Sequence, residues 1–360
     1  MFVAGETDLE NGGRMADYGV PRLIVELTNI CNLHCSYCLR DEDTLYHQKA
    51  SFFSVDLLQR VIREAREAMG VSYVMFTGGE STLHPRFKEI IDTVGAEGMK
   101  CSFITNGWHF DRVWPVIESC REVVTHVAFS LDGPTRETHD RWRGEGSYVR
   151  LVRAFARCHH ARLPFVIKCV IRKDTLPQFE NIAMFAARMG AATLNFGHLL
   201  PTSDQFHNEH GLSAQDRMLA EQEITLLARI FKMRINLEVG YYNIDPVPPC
   251  SALAGRSCNI DYRGQLSLCC NLSGFRGAVG EAEVVADLNV EGFASALARL
   301  STVARTQLDG RRKILGDYAA KSEAPPLAVG SPCLHCLQSF GKIPWQNTHT
   351  NTARISLPVL

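Results

Sequence analysis

The stretch Arg22-Leu-Ile-Val-Glu-Leu-Thr28-Asn-Ile-Cys31-Asn-Leu-His34-Cys35-Ser-Tyr37-Cys38 decides how the rest of the chain is read. Its first half is a short apolar run that suits a strand. Its second half spaces three thiols x3 and then x2 on a single loop, close enough to wrap a compact inorganic centre. A 4Fe–4S cluster has four irons, so three protein ligands leave one iron open to a small molecule. A zinc loop with His34 as the fourth ligand is the competing reading of these eight residues.

Outward from this stretch, residues 22–28, 73–77, 101–105, 123–130, 165–171 and 193–198 are short runs rich in Val, Ile and Phe. Nearly continuous apolar runs predict strands covered on both faces. Helical patterns lie between them: Ser54 caps a helix with Leu58, Val61, Ile62 and Ala65 on one face, and Ser147 does the same ahead of Tyr148, Leu151, Val152 and Phe155. Six βα units in residues 20–199 predict an α/β fold, a partial (β/α)6 TIM-like barrel with right-handed crossovers. Three strands end in polar, glycine-bearing turns: Thr77-Gly78-Gly79-Glu80, Thr105-Asn106-Gly107 and Ser130-Leu131-Asp132-Gly133. Barrel sheets place their chemistry at such ends. Gly78 and Gly79 are read as letting a ligand approach the backbone, and Glu80 as an acceptor for an ammonium group.

Together these turns and the C-x3-C-x2-C loop resemble the radical S-adenosylmethionine (SAM) enzymes over residues 20–199. The resemblance implies that Cys31, Cys35 and Cys38 bind a 4Fe–4S cluster whose open iron is chelated by SAM. It implies that Tyr37 packs on the adenine and that Gly78, Gly79 and Glu80 hold the methionine amino group. Asn106 falls among the cofactor-binding positions, and Ser130 and Asp132 near the ribose or carboxylate. The implied chemistry is one-electron cleavage of SAM to a 5′-deoxyadenosyl radical, which abstracts hydrogen from an unactivated C–H bond, with the barrel excluding water. A flavodoxin or ferredoxin is the implied electron donor.

The remaining composition fits an enzyme better than a coating or anchoring protein. The 360 residues carry 38 basic against 39 acidic side chains, net −1, with no long run of one sign, which argues against nucleic-acid and membrane partners. No apolar stretch reaches the roughly 18–20 residues of a membrane span, and residues 1–18 lack the apolar core of a secretory signal. A cytoplasmic location is the expectation. Thirteen cysteines, an odd number, then read as metal or redox ligands rather than disulfides. Cys101, Cys120, Cys158 and Cys169 sit in apolar surroundings and are expected to pack in the core.

A second group follows: Cys250, Cys269-Cys270 and Cys333-Leu-His-Cys336, with Gly264 and a hairpin at 257–268 aiming Cys269. On its own this is a four-thiolate frame that suits zinc or iron–sulfur equally. It resembles the twitch form of the SPASM extension, a small α+β domain behind many radical SAM barrels, which implies one auxiliary 4Fe–4S cluster held by Cys250, Cys269, Cys333 and Cys336. Cys258 and Cys270 are then left over, as packing residues, substitute ligands or a catalytic hydrogen donor in a domain covering the barrel mouth. The expected order is an N-terminal extension (1–19), the barrel (20–199), a connector with a long helix opened by Ser213 and Asp216 (200–245), the auxiliary domain (246–345) and a tail (346–360). His207-Asn-Glu-His210 reads as a solvated loop, and Arg141-Trp-Arg143 as an anion grip or a surface turn.

Relatives with such extensions act on sugars and cyclitols or on ribosomally made peptides. Only 30 residues precede Cys31, too few for a leader-binding domain of roughly 80–90 residues, so a small sugar- or cyclitol-type substrate is favoured. The outcome is epimerisation or two-electron dehydrogenation. The alternative is a maturase of a ribosomally made peptide; an alternative of another class is a non-catalytic zinc or iron–sulfur protein.

Overall fold

The computed structural model describes residues 21–40, 49–245, 249–276 and 281–345. The expected extension 1–19 and tail 346–360 lie outside them. Strands β1 (Arg22–Glu26), β2 (Tyr73–Thr77), β3 (Lys100–Thr105), β4 (Val124–Ser130), β5 (Phe165–Ile171) and β6 (Thr193–His198) stand where the apolar runs predict them. They pair in parallel in sequence order. A seventh strand, β7 (Arg234–Val239), adds in parallel to β6 inside the segment expected to be only a connector and helix. Its sequence, Arg-Ile-Asn-Leu-Glu-Val, alternates polar and apolar residues rather than running apolar, so a search for apolar runs passes over it.

On the other side of β1 the sheet continues into β8 (Ser257–Ile260), which pairs in parallel with β1, then β9 (Gln265–Ser267) and β10 (Val284–Asp287), both antiparallel to their neighbours. One ten-stranded sheet results, in the order β10-β9-β8-β1-β2-β3-β4-β5-β6-β7. It is a partial TIM-like barrel that does not close. The hairpin of the C-terminal segment extends the sheet sideways from β1.

Most helices pack on one face of the sheet, while the fourth and seventh gather around Tyr37 and Leu199. The helices are α1 (Val55–Met69), α2 (Phe87–Ala96), α3 (Phe110–Ser119), α4 (Arg136–Arg143), α5 (Ser147–His160), α6 (Phe179–Met189), α7 (Asp204–His210), α8 (Ala214–Ile230), α9 (Phe293–Ala320), α10 (Leu327–Gly330) and α11 (Pro332–Ser339). Ser54 caps α1 as expected, accepting from the Leu57 amide. Ser147 does not cap α5. Gly146 holds that position in a left-handed conformation, and the Ser147 hydroxyl instead donates to Asp140 and Gly144. The segment His207–His210 is the end of α7, not a loop, and His210 packs edge-on against Trp142.

Burial along the strands alternates. In β5, Phe165, Ile167, Cys169 and Ile171 are buried, while Val166, Lys168 and Val170 are half-buried. Phe129, Phe155 and Phe165 pack together on the helix side. Residues two apart share a face, so the inner wall carries Ile24, Glu26, Met75, His126, Ser130, Lys168, Asn195 and Glu238. The strands are therefore not covered on both faces. The inner face is a partly open cleft.

Candidate functional site

The cysteine loop is clamped to the end of β2 by backbone contact. Gly79 N donates to Thr28 O and Glu80 N to Ile30 O, both at 2.8 Å. A side chain at Gly79 would put its Cβ 2.0 Å from the Ile30 carbonyl oxygen, and one at Gly78 would put it 2.6 Å from that of Thr28. Gly78 also has φ +122°, a backbone that disfavours any side chain. In the structure these glycines make room for the loop that carries the thiols.

Glu80 is 2% exposed, and its carboxylate is held from several sides. Oε1 accepts from Thr82 Oγ1 and Thr105 Oγ1, each at 2.6 Å, and Oε2 accepts from the Asn106 amide at 2.8 Å. Burial raises its pKa, and the hydrogen bonds from Asn106, Thr105 and Thr82 oppose that rise. Glu80 thus ties β2 to β3 under the loop and keeps a lone pair of Oε2 for a further donor. Asn106 extends the brace. Its Nδ2 donates to Asn32 Oδ1 at 3.0 Å and lies 3.9 Å from Cys31 Sγ. Burial, with Glu80 nearby, pushes the Cys31 thiol up to about 12. A thiol so placed ionises only with a cation beside it, which suits a metal ligand. His34 is exposed.

On the other side of the loop lies a buried charge network that sequence reasoning only touched. Asp132 accepts from the Tyr37 hydroxyl at 2.5 Å, from Arg143 Nε, and from Arg172 Nη1 at 3.0 Å. Burial works against the Asp132 carboxylate, but Arg143 and Arg172 outweigh it and hold the group well below the usual range. The Tyr37 ring meets Trp142 edge-on at 5.9 Å, and Trp142 Nε1 donates to Asp174 at 2.7 Å. Tyr37 and Asp132 face each other, and the Asp132 carboxylate lies between the Arg143 and Arg172 guanidiniums. Of Arg141-Trp-Arg143, Arg143 turns inward and Arg141 stays over the Trp142 ring. The available signal was Arg172, a charge directly after an apolar strand. Ser130 is half-buried on the inner wall, in register with Lys168.

The second cysteine group comes from four separate stretches. Cys250 acts electrostatically on Cys269, Cys333 and Cys336, so all four are neighbours. Backbone amides point at the sulfurs: Gly240 N donates to Cys333 Sγ at 3.3 Å, and Leu253 and Ala252 donate to Cys250. Among the described residues, no three His, Cys, Asp or Glu side chains are gathered tightly enough to share one metal ion. Four thiols with amide donors fit an iron–sulfur cluster, whose ligands each bind a different iron.

The two leftover thiols part company. Cys258 is on the helix side of β8, in register with Leu23, and burial pushes it to about 12. It faces the core and not the cleft, so the hydrogen-donor reading is corrected for Cys258. Cys270 accepts a hydrogen bond from the Cys269 thiol, which lowers its pKa against burial, and Arg40 lowers it further. Glu26 and Lys168 of the inner wall also act on it. Cys101, Cys120, Cys158 and Cys169 are buried in the core as expected.

Residues 25–186 match the Radical SAM superfamily. The chain is 30% identical over 256 residues to the mycofactocin maturase MftC of Mycobacterium ulcerans (strain Agy99), covering 68% of this chain and 66% of that protein, a little under two thirds of its length. Its fold is similar to that of Streptococcus suis SuiB bound to the precursor peptide SuiA (TM-score 0.60, 14% identity, 79% of this chain and 67% of that one). It is also similar to native anSMEcpe with bound AdoMet (TM-score 0.63, 16% identity, 80% and 84%). The cysteine loop clamped by a glycine pair at the open end of a partial barrel agrees with the family match. The chain belongs to the radical SAM superfamily, which implies a 4Fe–4S cluster and SAM. Among the described residues, no helix is long and apolar enough to cross a membrane.

Proposed function

We propose that this protein is a radical SAM maturase acting on a ribosomally made peptide. In this reading Cys31, Cys35 and Cys38 hold the SAM-binding cluster, and Cys250, Cys269, Cys333 and Cys336 hold an auxiliary one in a unit spanning 246–345. The similarity to MftC across two thirds of the chain carries the proposal. It favours a peptide over the sugar or cyclitol that the short N-terminal stretch suggested. An unclosed barrel with a half-buried inner wall also suits an extended substrate, which enters between the edge strands instead of through a narrow mouth.

When bound, the cluster and SAM supply one-electron cleavage and hydrogen abstraction from a C–H bond. The chain's own residues orient and enclose. Gly78 and Gly79 fix the height of the loop, Glu80 offers its remaining lone pair to an ammonium group, and Asn106 steadies the loop beside Cys31. The network of Asp132, Arg143 and Arg172 closes the far side against water. Cys270 faces the cleft between the two cysteine groups and is the remaining candidate for a hydrogen donor or substitute ligand. A flavodoxin or ferredoxin supplies the electron.

The test is anaerobic reconstitution, followed by turnover with SAM, reductant and a synthetic precursor peptide from a neighbouring gene. Peptide-dependent 5′-deoxyadenosine formation with a changed peptide mass is expected. Turnover with aminocyclitols and none with peptide overturns the reading.

A further inference from the structure

Arg311 is 1% exposed, yet among the described residues no carboxylate pairs with it. It sits on the buried face of α9 with Ala304, Gln307, Leu308 and Leu315, where the helical repeat calls for an apolar residue. Its Nη2 donates to the carbonyls of Asn243 and of Gly330, the latter at 3.2 Å, and among the described residues its Nε has no acceptor. Burial lowers its pKa, and the groups that oppose this are Cys336, Tyr241, Cys250 and Cys333. Three of these four are members of the second cysteine group. Arg217, the other buried arginine beside that group, differs: it is 2% exposed, and Glu221 balances it ahead of Cys333.

A buried guanidinium without a counter-ion is strongly disfavoured, so its retention calls for a nearby anion. Four neutral thiols are not one. Four thiolates around a 4Fe–4S core carry a formal charge of about −2 when oxidised and about −3 when reduced. The positive charge then favours the more negative state. We infer that Arg311 is the counter-charge of the auxiliary cluster and holds its potential less negative than a neutral side chain would. This rests on the auxiliary-cluster reading above. Arg311 is a positioning residue in this sense: it sets the cluster's charge balance and touches no substrate.

The same contacts fit a plainer role, a clasp tying α9 to residues 243 and 330. Two variants separate the roles, because Arg311→Lys keeps the charge and loses the fork, while Arg311→Gln keeps a donor and loses the charge. Both are made in the full chain on a Cys31/Cys35/Cys38→Ala background, so that only the auxiliary couple remains, and followed by iron analysis and redox titration with EPR detection. The expected result is a shift to more negative potential, or lost iron, in Arg311→Gln, with Arg311→Lys close to the parent. Equal effects in both variants, or an unmoved Arg311→Gln at full iron, overturn the counter-charge. A parent that binds no iron overturns the auxiliary cluster itself, and the inference with it.

Discussion

The two cysteine groups are built in opposite ways. The first hangs on one loop of eight residues, Cys31 to Cys38, and is clamped from below by the backbone of Gly79 and Glu80. The second draws on residues 250, 269, 333 and 336, which β8, β9, α9 and α11 bring together. Their surroundings differ in charge as well. Charges of both signs lie beside the first group, Glu80 at Cys31 and Arg143 with Asp132 at Cys35, while buried Arg311 lies beside the second. A local loop shapes its site by spacing, so any change in the clamp acts on that site alone. An assembled site depends on the packing of several elements and on the charge they bury with it.

The largest expected effect tests whether the groups are independent. Changing Cys31, Cys35 and Cys38 together to Ala should remove about four of about eight irons and abolish 5′-deoxyadenosine formation. Undiminished cleavage in that variant would place the SAM site elsewhere. Gly79→Ala comes next. Its methyl meets the Ile30 carbonyl at 2.0 Å, so the loop must lift. We expect a loss of about 1–3 kcal/mol in urea unfolding, as for other overpacked sites, with iron lost from the first group only. Wild-type iron and SAM affinity in Gly79→Ala would dissolve the clamp.

The third prediction concerns a weakness that the two groups share. His139, beside Asp132, and His335, between Cys333 and Cys336, are both held at about 4, chiefly by burial. An unfolded imidazole takes its proton near pH 6.5. Between these values the unfolded state binds more protons, so stability falls as pH drops from about 6.5 to 4. Each histidine contributes up to about 1.4 kcal/mol per pH unit to that slope. His139→Asn, which keeps an acceptor for the Asp132 amide, should flatten the slope by one proton in urea titrations of the metal-free protein. An unchanged slope means that His139 does not stay neutral in the fold. The smallest effect belongs to Asn106→Ala, which removes the hydrogen bond to Asn32 and should cost about 0.5–1.5 kcal/mol. SAM affinity by titration calorimetry should weaken, while iron analysis should find the second group's iron kept.

Much of the barrel was legible because its strands are apolar and local. Residues 73–77, 165–171 and 193–198 coincide with β2, β5 and β6. β7 was passed over because its inward residues, Asn236 and Glu238, face a cleft and are polar. Nor could spacing reveal that Cys258 points into the core: β8 takes its register from Leu23 and Val25 of β1, more than two hundred residues earlier.

From the amino-acid order alone come the α/β alternation, the thiol loop and the glycine pair, because each depends on neighbours within a few residues. The join between β1 and β8, the closure of Asp132 by Arg143 and Arg172, and the placing of Arg311 beside three cysteines exist only once the chain is packed. A buried charge has no signature of its own in a sequence. Its partner is whatever the fold sets against it, and only there does burial make the pairing matter.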